Sequence, residues 1–155
     1  MSDAVRIPII KLYTSLIVSI QVSLSDQLVA RLKQDITSEI DRTGALGLII
    51  DVSGIDVMDS YISRSIRDIG LIAKLMGVRT VISGMDPMIA MTLVEMGMEL
   101  TGVQTALNLE SALEELGVGL QRREEVDIRD LISTADLREP TDASEQYDPI
   151  GVVPG

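Results

Sequence analysis

The sequence predicts an α/β domain, a mixed and mostly parallel β-sheet with about four α-helices, followed by an acidic C-terminal tail. Three observations lead there. Short runs rich in Ile and Val alternate with stretches of helical periodicity, the pattern of parallel strands joined by helices. One run, Leu46 to Val52, is continuously apolar up to Asp51, as in a central strand buried on both faces. After Gly117 the apolar pattern gives way to charge.

In order along the chain, Ile7 to Tyr13 and Leu16 to Gln21 are β-type runs with Thr14-Ser15 between them, close enough to pair antiparallel. Ser23-Leu24-Ser25-Asp26 then offers caps for a helix reaching about Thr43. Leu28, Leu32, Ile36 and Ile40 recur every four residues along it, and Gly44 ends it. After the Leu46–Val52 strand, a second helix from about Ser60 to Met76 presents Ile62, Ile66, Ile69, Ala73 and Met76 on one face and stops at Gly77. Val78 to Ser83 is the next strand. It runs through Gly84 to Asp86-Pro87, an N-cap followed by proline at the first helical position, where a missing N–H costs nothing. That third helix extends to about Met96. A weak strand near Gln104 to Leu107 and a helix from Leu109 to Leu116 complete a domain over residues 5–118.

Residues 119–155 form the tail. From residue 121 onward, four arginines stand against nine carboxylates. A short amphipathic helix fits Val126 to Leu137, and Pro140 to Gly155 has the composition of a largely disordered segment. Solvated filler is the plainer role for the tail, and a partner-docking segment the alternative.

Composition removes most catalytic chemistry. The 155 residues include no His and no Cys, so disulfides, thiolate nucleophiles, Cys/His zinc sites and a Ser-His-Asp triad are all excluded. No EF-hand pattern appears among the carboxylates. Phe and Trp are absent although 46% of residues are apolar, so the core must be aliphatic, and eight Met give scope for an adaptable surface. A net charge of −11 argues against nucleic acid and anionic membrane partners, which reward clustered Lys and Arg. No run approaches the roughly 20 apolar residues of a membrane span. Met1 to Arg6 lacks the form of a signal peptide. The expectation is a soluble, cytoplasmic protein without metal or cofactor.

The segment with most chemical content is Asp51-Val52-Ser53-Gly54-Ile55-Asp56-Val57-Met58-Asp59-Ser60-Tyr61, a strand end, a loop and a hydroxyl where a helix begins. The plain role of Ser60 is a helix N-cap, worth about 1 kcal/mol. The alternative, functional reading is a phosphoacceptor, since a helix N-terminus favours negative charge; position alone favours the cap, and the two are compatible. Arg64, one turn on, is placed to reach such a phosphate, while Asp59 would repel it. Ser63 and Ser65 are weaker acceptors, being on the helix proper. Asp51 and Asp56 invite an acid–base or metal reading, but no Lys, His or second convergent carboxylate supports it, and loop hydrogen bonding around Gly54 is the simpler account. Ser83-Gly84-Met85-Asp86-Pro87 is a turn suited to an anion, yet neither phosphate-loop motif is present. The set Met85, Met88, Met91, Met96 and Met98 fits core or a dimer seam better than a cofactor pocket.

Leu48 through Ser60 resembles the signature of STAS domains, the family of anti-sigma factor antagonists. Further blocks, Ile7-Pro8-Ile9-Ile10-Lys11-Leu12-Tyr13, Leu16 to Gln21, Ser60-Tyr61-Ile62, Lys74-Leu75-Met76-Gly77 and Met91 to Gly97, resemble the small scaffold subunits of stressosomes (RsbS type). The resemblance covers residues 5–118 and does not reach the tail. It implies a STAS fold and a non-enzymatic role in stress signalling. Such a scaffold forms homo-dimers and a large hetero-oligomer with sensor paralogues (RsbR type), and holds a switch serine kinase (RsbT type). The kinase phosphorylates the position matched by Ser60 and is released, and a phosphatase resets the site. Asp56, Met58, Asp59, Tyr61 and Arg64 are then the residues near the site expected to meet the kinase or another partner.

Simple antagonists continue the motif as Ser-Ser-Gly, whereas this chain has Ser60-Tyr61-Ile62. That favours the scaffold over a free anti-anti-sigma factor binding an anti-sigma kinase directly. A small-ligand-binding or enzymatic α/β domain, using the loop after Asp51 and the Gly84 turn, is the competing class. A transporter's cytoplasmic STAS domain is disfavoured because no spanning segment precedes it.

Overall fold

The computed structural model describes residues 5–117. The sequence readings for residues 119–155, including the helix at 126–137, lie outside them. The elements run β1 (Ile9–Leu12), β2 (Ser15–Ser19), α1 (Asp26–Thr43), β3 (Gly47–Asp51), α2 (Ser60–Leu75), β4 (Arg79–Ser83), α3 (Pro87–Glu95), β5 (Gln104–Ala106) and α4 (Leu109–Glu115). The five strands lie side by side in chain order. β1 and β2 pair antiparallel, and β2 through β5 are parallel, so the sheet is mixed as expected.

Local chemistry accounts for the element ends. The Ser25 hydroxyl accepts from the Leu28 amide at 3.2 Å and opens α1. Gly44, at φ 65°, closes that helix by donating its N–H to the Ile40 carbonyl. Asp86 accepts from the Met88 amide at 2.8 Å, with Pro87 at the first position of α3. Asn108 does the same work for α4 through Ser111.

Period-two alternation sorts the strand side chains between two apolar clusters. Leu16, Val18, Leu48, Ile50 and Ile82 face Leu32, Ile36 and Ile40 of α1, Ile66, Ile69 and Ala73 of α2, and Ile89 and Leu93 of α3. Ile17, Ile49 and Val81, cross-strand neighbours in one row, face Ala112, Leu113 and Leu116 at α4 on the other side. Ile49, Ile50 and Leu48 are wholly buried, which explains why β3 carries no polar residue before Asp51.

Two expectations change, and the methionine set divides. The first strands are shorter than their apolar runs, and the turn between them falls at Tyr13-Thr14 rather than Thr14-Ser15, with Leu12 opposite Ser15. Ser15 belongs to β2 and is 1% exposed. The Thr14 carbonyl accepts from the Leu46 amide at 2.8 Å, so the turn is held by the start of β3. On α2, Ile66, Ile69 and Ala73 form the buried stripe, but the helix ends at Leu75, and Met76, its C-cap, is 39% exposed. Of the methionines assigned to core or seam, Met88, Met91 and Met96 are exposed, while Met85 and Met98 are half-buried.

Candidate functional site

The loop between β3 and α2 is fixed by backbone bonds to its neighbours. The Ile20 amide donates to the Asp51 carbonyl at 3.0 Å, and Val52 donates to the Ser83 carbonyl at 2.9 Å. Asp51 Oδ1 accepts from the Ser53 amide at 3.0 Å, an Asx-type turn. Gly54 lies so close to the segment just after β2 that a Cβ would come within 2.9 Å of the Ile20 carbonyl oxygen. Gly84, at φ 76°, brings the next loop against this one, and a Cβ there would fall 2.9 Å from Ser53 Cβ and 3.0 Å from Asp51 Oδ1. Asp51 thus serves turn formation, while Asp56 is exposed.

Met58 is 4% exposed and packs into the main core. Expected among the residues that meet a partner, it is instead largely withdrawn from the surface into the core beneath the loop, alongside side chains of α2 and α3. Asp56, Val57 and Asp59 remain outside.

Ser60 is not the cap of α2. Asp59 is: its backbone is extended and its Oδ1 accepts from the Ile62 amide at 2.8 Å. A carboxylate caps as well as a hydroxyl and adds a favourable interaction with the helix dipole. Ser60 is therefore the first residue of the helix and half-buried, with its side chain released from capping. The Arg64 guanidinium folds back over it, Nε donating to the Ser60 carbonyl at 3.2 Å.

The other two serines differ sharply. Ser63 is 0% and Ser65 4% exposed. Their hydroxyls donate at 2.8 Å to the carbonyls of Asp59 and Tyr61, the back-bonding typical of serine inside a helix. Tyr61 is 38% exposed. The Asp26 carboxylate, as hydrogen-bond acceptor for the phenol, pushes its ionisation above the usual tyrosine range, and partial burial adds to this. Ser60, Tyr61, Arg64, Asp56 and Asp59 therefore gather at one helix start.

Two hollows adjoin it. A cleft of about 510 Å³ lies between the loop and the segment after β2, lined among others by Gln21, Ser23, Gly54, Asp56 and Asp59. A smaller groove of about 190 Å³ lies between Asp56-Val57-Met58 and Met88, Ile89 and Thr92 of α3. Sequence spacing does not show that the loop meets α3. The available sign was an apolar Val57 next to Asp56 in a loop, together with a methionine-rich third helix.

Among the described residues no group of His, Cys, Asp or Glu is arranged to hold a metal ion. Nor is any helix among them long and apolar enough to cross a membrane.

Residues 4–115 match the STAS domain family. A serine-to-glutamate variant of RsbS from Moorella thermoacetica superposes with a TM-score of 0.65 at 37% identity, covering 76% of this chain and 99% of that one. A chain from a structure titled as the molecular architecture of the stressosome, a signal integration and transduction hub, gives 0.64 at 38% identity, covering 74% and 99%. The RsbT co-antagonist protein RsbRD of Bacillus subtilis is 36% identical over 70 residues, 45% of this chain and 25% of that protein. The chain thus corresponds to about a quarter of that curated relative's length.

Proposed function

The chain belongs to the STAS domain family, and from that premise we propose that it is a non-enzymatic stressosome scaffold and anti-sigma antagonist. In this reading it sequesters a switch serine kinase and releases it once Ser60 is phosphorylated. The observation that carries the reading is the contrast among three serines: Ser63 and Ser65 are buried and bonded to backbone, while Ser60 stands at the first helical position, free of the capping role. The likeness to RsbS and to an RsbT co-antagonist supports the choice of partners: RsbR-type sensor paralogues, an RsbT-type kinase and a resetting phosphatase. The same likeness supports reading the chain as a homo-dimer within a large cytoplasmic hetero-oligomer.

Electrostatics suits a switch at this point. A phosphate brings a charge of about −1.5 to −2 beside the Asp59 carboxylate. A partner fitted to the unmodified loop then meets repulsion and the cost of desolvating a dianion. Arg64 is near enough to hold the phosphate in place by leaving the Ser60 carbonyl.

The test is phosphorylation by the cognate switch kinase with ATP, read by intact mass and site mapping, with Ser60→Ala as control. One phosphate on Ser60, lost in the variant, is the expected result. No transfer to folded protein by active kinase overturns the reading. Entry into a megadalton particle with a sensor paralogue separates a scaffold from a free antagonist of an anti-sigma kinase.

The 510 Å³ cleft favours a second reading, a small-ligand site, because its volume lies in the range of such pockets. Its lining carries Asp56 and Asp59 and no Lys or Arg, which disfavours phosphate-bearing ligands. Strong thermal stabilisation by a neutral or cationic small molecule would bring it forward.

A further inference from the structure

We propose that the groove between the β3–α2 loop and α3 is a docking seat for the kinase, into which one apolar side chain from a basic-rimmed face of that protein inserts between Val57 and Met88. The proposal rests on the reading of Ser60 given above. Its geometry stands apart from that reading. Val57 is 73%, Met88 69% and Met91 58% exposed. Val57 and Met88 form opposite lips of the groove, over a floor that includes Met58 and Ile89, which are 4% and 6% exposed. Clustered apolar side chains left in water mark contact surfaces, and methionine adapts its shape to what it meets. At about 190 Å³ the groove is smaller than small-molecule sites, and suits a single inserted side chain.

Charge identifies the occupant. Asp56 lines the groove, Asp59 follows its loop wall, and Asp86 and Glu95 stand at the two ends of the α3 helix that forms the other wall; all four are exposed, and none of them enters an ion pair among the described residues. A complementary face is apolar at its centre with Lys or Arg around it. A second copy of this chain is a poor fit, because a two-fold contact through this patch would set the same carboxylates against one another. Continuity points the same way. The groove wall Asp56-Val57-Met58 runs straight into Asp59 and Ser60, and a stable footprint of about 800 Å² per partner centred on the Ser60 hydroxyl has to cover it.

The experiment is titration calorimetry of the full chain with its cognate serine kinase, comparing parent, Val57→Glu, Met88→Glu and Leu75→Glu. Leu75, 81% exposed at the far end of α2, is the control. All four proteins are followed by circular dichroism melting to confirm an intact fold. The expected result is affinity lowered at least about tenfold by Val57→Glu and by Met88→Glu, with Leu75→Glu close to parent. Parent affinity is also expected to fall with added salt. If the parent binds and the two groove variants bind equally well, the seat is overturned while the Ser60 reading stands. If the parent does not bind the kinase at all, both fall. If Met88→Glu alters self-association by sedimentation velocity and leaves kinase binding unchanged, the groove is a contact between copies and the proposal is overturned.

Discussion

Asp59 and Ile62 are joined by a 2.8 Å hydrogen bond from the Ile62 amide to the Asp59 carboxylate, and this bond frees the intervening Ser60 from holding the helix end. The same residue holds the helix a second way, since its carbonyl accepts both the amide and the hydroxyl of Ser63, at 3.0 and 2.8 Å. Helix capping thus falls to Asp59, and in the proposed reading signalling falls to its neighbour Ser60. A phosphate on Ser60 alters the surface without removing the cap.

That division predicts opposite outcomes for adjacent substitutions. Asp59→Ala is expected to cost about 1 kcal/mol through the lost cap. Ser60→Ala is expected to stay within about 0.5 kcal/mol of parent. Urea unfolding of the two variants checks this, and a larger loss at Ser60 would return the capping role to it.

Ser60→Asp is expected to weaken kinase binding while leaving the melting temperature nearly unchanged. A carboxylate in the first helical turn gains about 0.3–1 kcal/mol from the dipole, and repulsion from Asp59 offsets it. Calorimetric titration with the kinase decides the matter, and equal affinity for parent and variant would count against release by charge. Ser63→Asp should behave differently and unfold the domain, because it places a carboxylate where the side chain is 0% exposed.

The Tyr61 phenol is expected to ionise above the usual value of about 10. A tyrosine whose folded pKa is raised contributes stability that is complete below its unfolded pKa and disappears as pH climbs through the folded one. Domain stability should accordingly fall from about pH 10 upward. Asp26→Ala removes the acceptor and is expected to bring the ionisation back toward its ordinary range, as ultraviolet difference titration would show.

Gly84→Ala is expected to cost more than Gly44→Ala. Both positions have positive φ, which penalises any side chain by about 1 kcal/mol. At Gly44 an added Cβ meets nothing within 4 Å, whereas at Gly84 it strikes Ser53 and Asp51 of the loop that leads to Ser60. Thermal melts of the two variants give the ranking, and Gly84→Ala should also loosen the loop in hydrogen exchange.

Much of this protein was decided locally and could be read from the chain. Ser25, Asp86 with Pro87, and Gly44 act within a single helical turn, so their residue types announce the ends of α1 and α3. The unbroken apolar run of β3 reflects burial on two faces, and the missing His and Cys close off whole classes of chemistry. Which of two adjacent capping residues holds α2 was not legible, because Asp59 and Ser60 are both good caps and the loop packing chooses between them. Burial of Ser63 and Ser65 and exposure of Met76 likewise depend on where the sheet and α1 lie under α2. The groove between Val57 and Met88 joins residues 31 positions apart, brought together by β4 lying beside β3. Periodicity names the apolar face of a helix, but what covers that face, and what is left uncovered for a partner, is settled by contacts far apart in the chain.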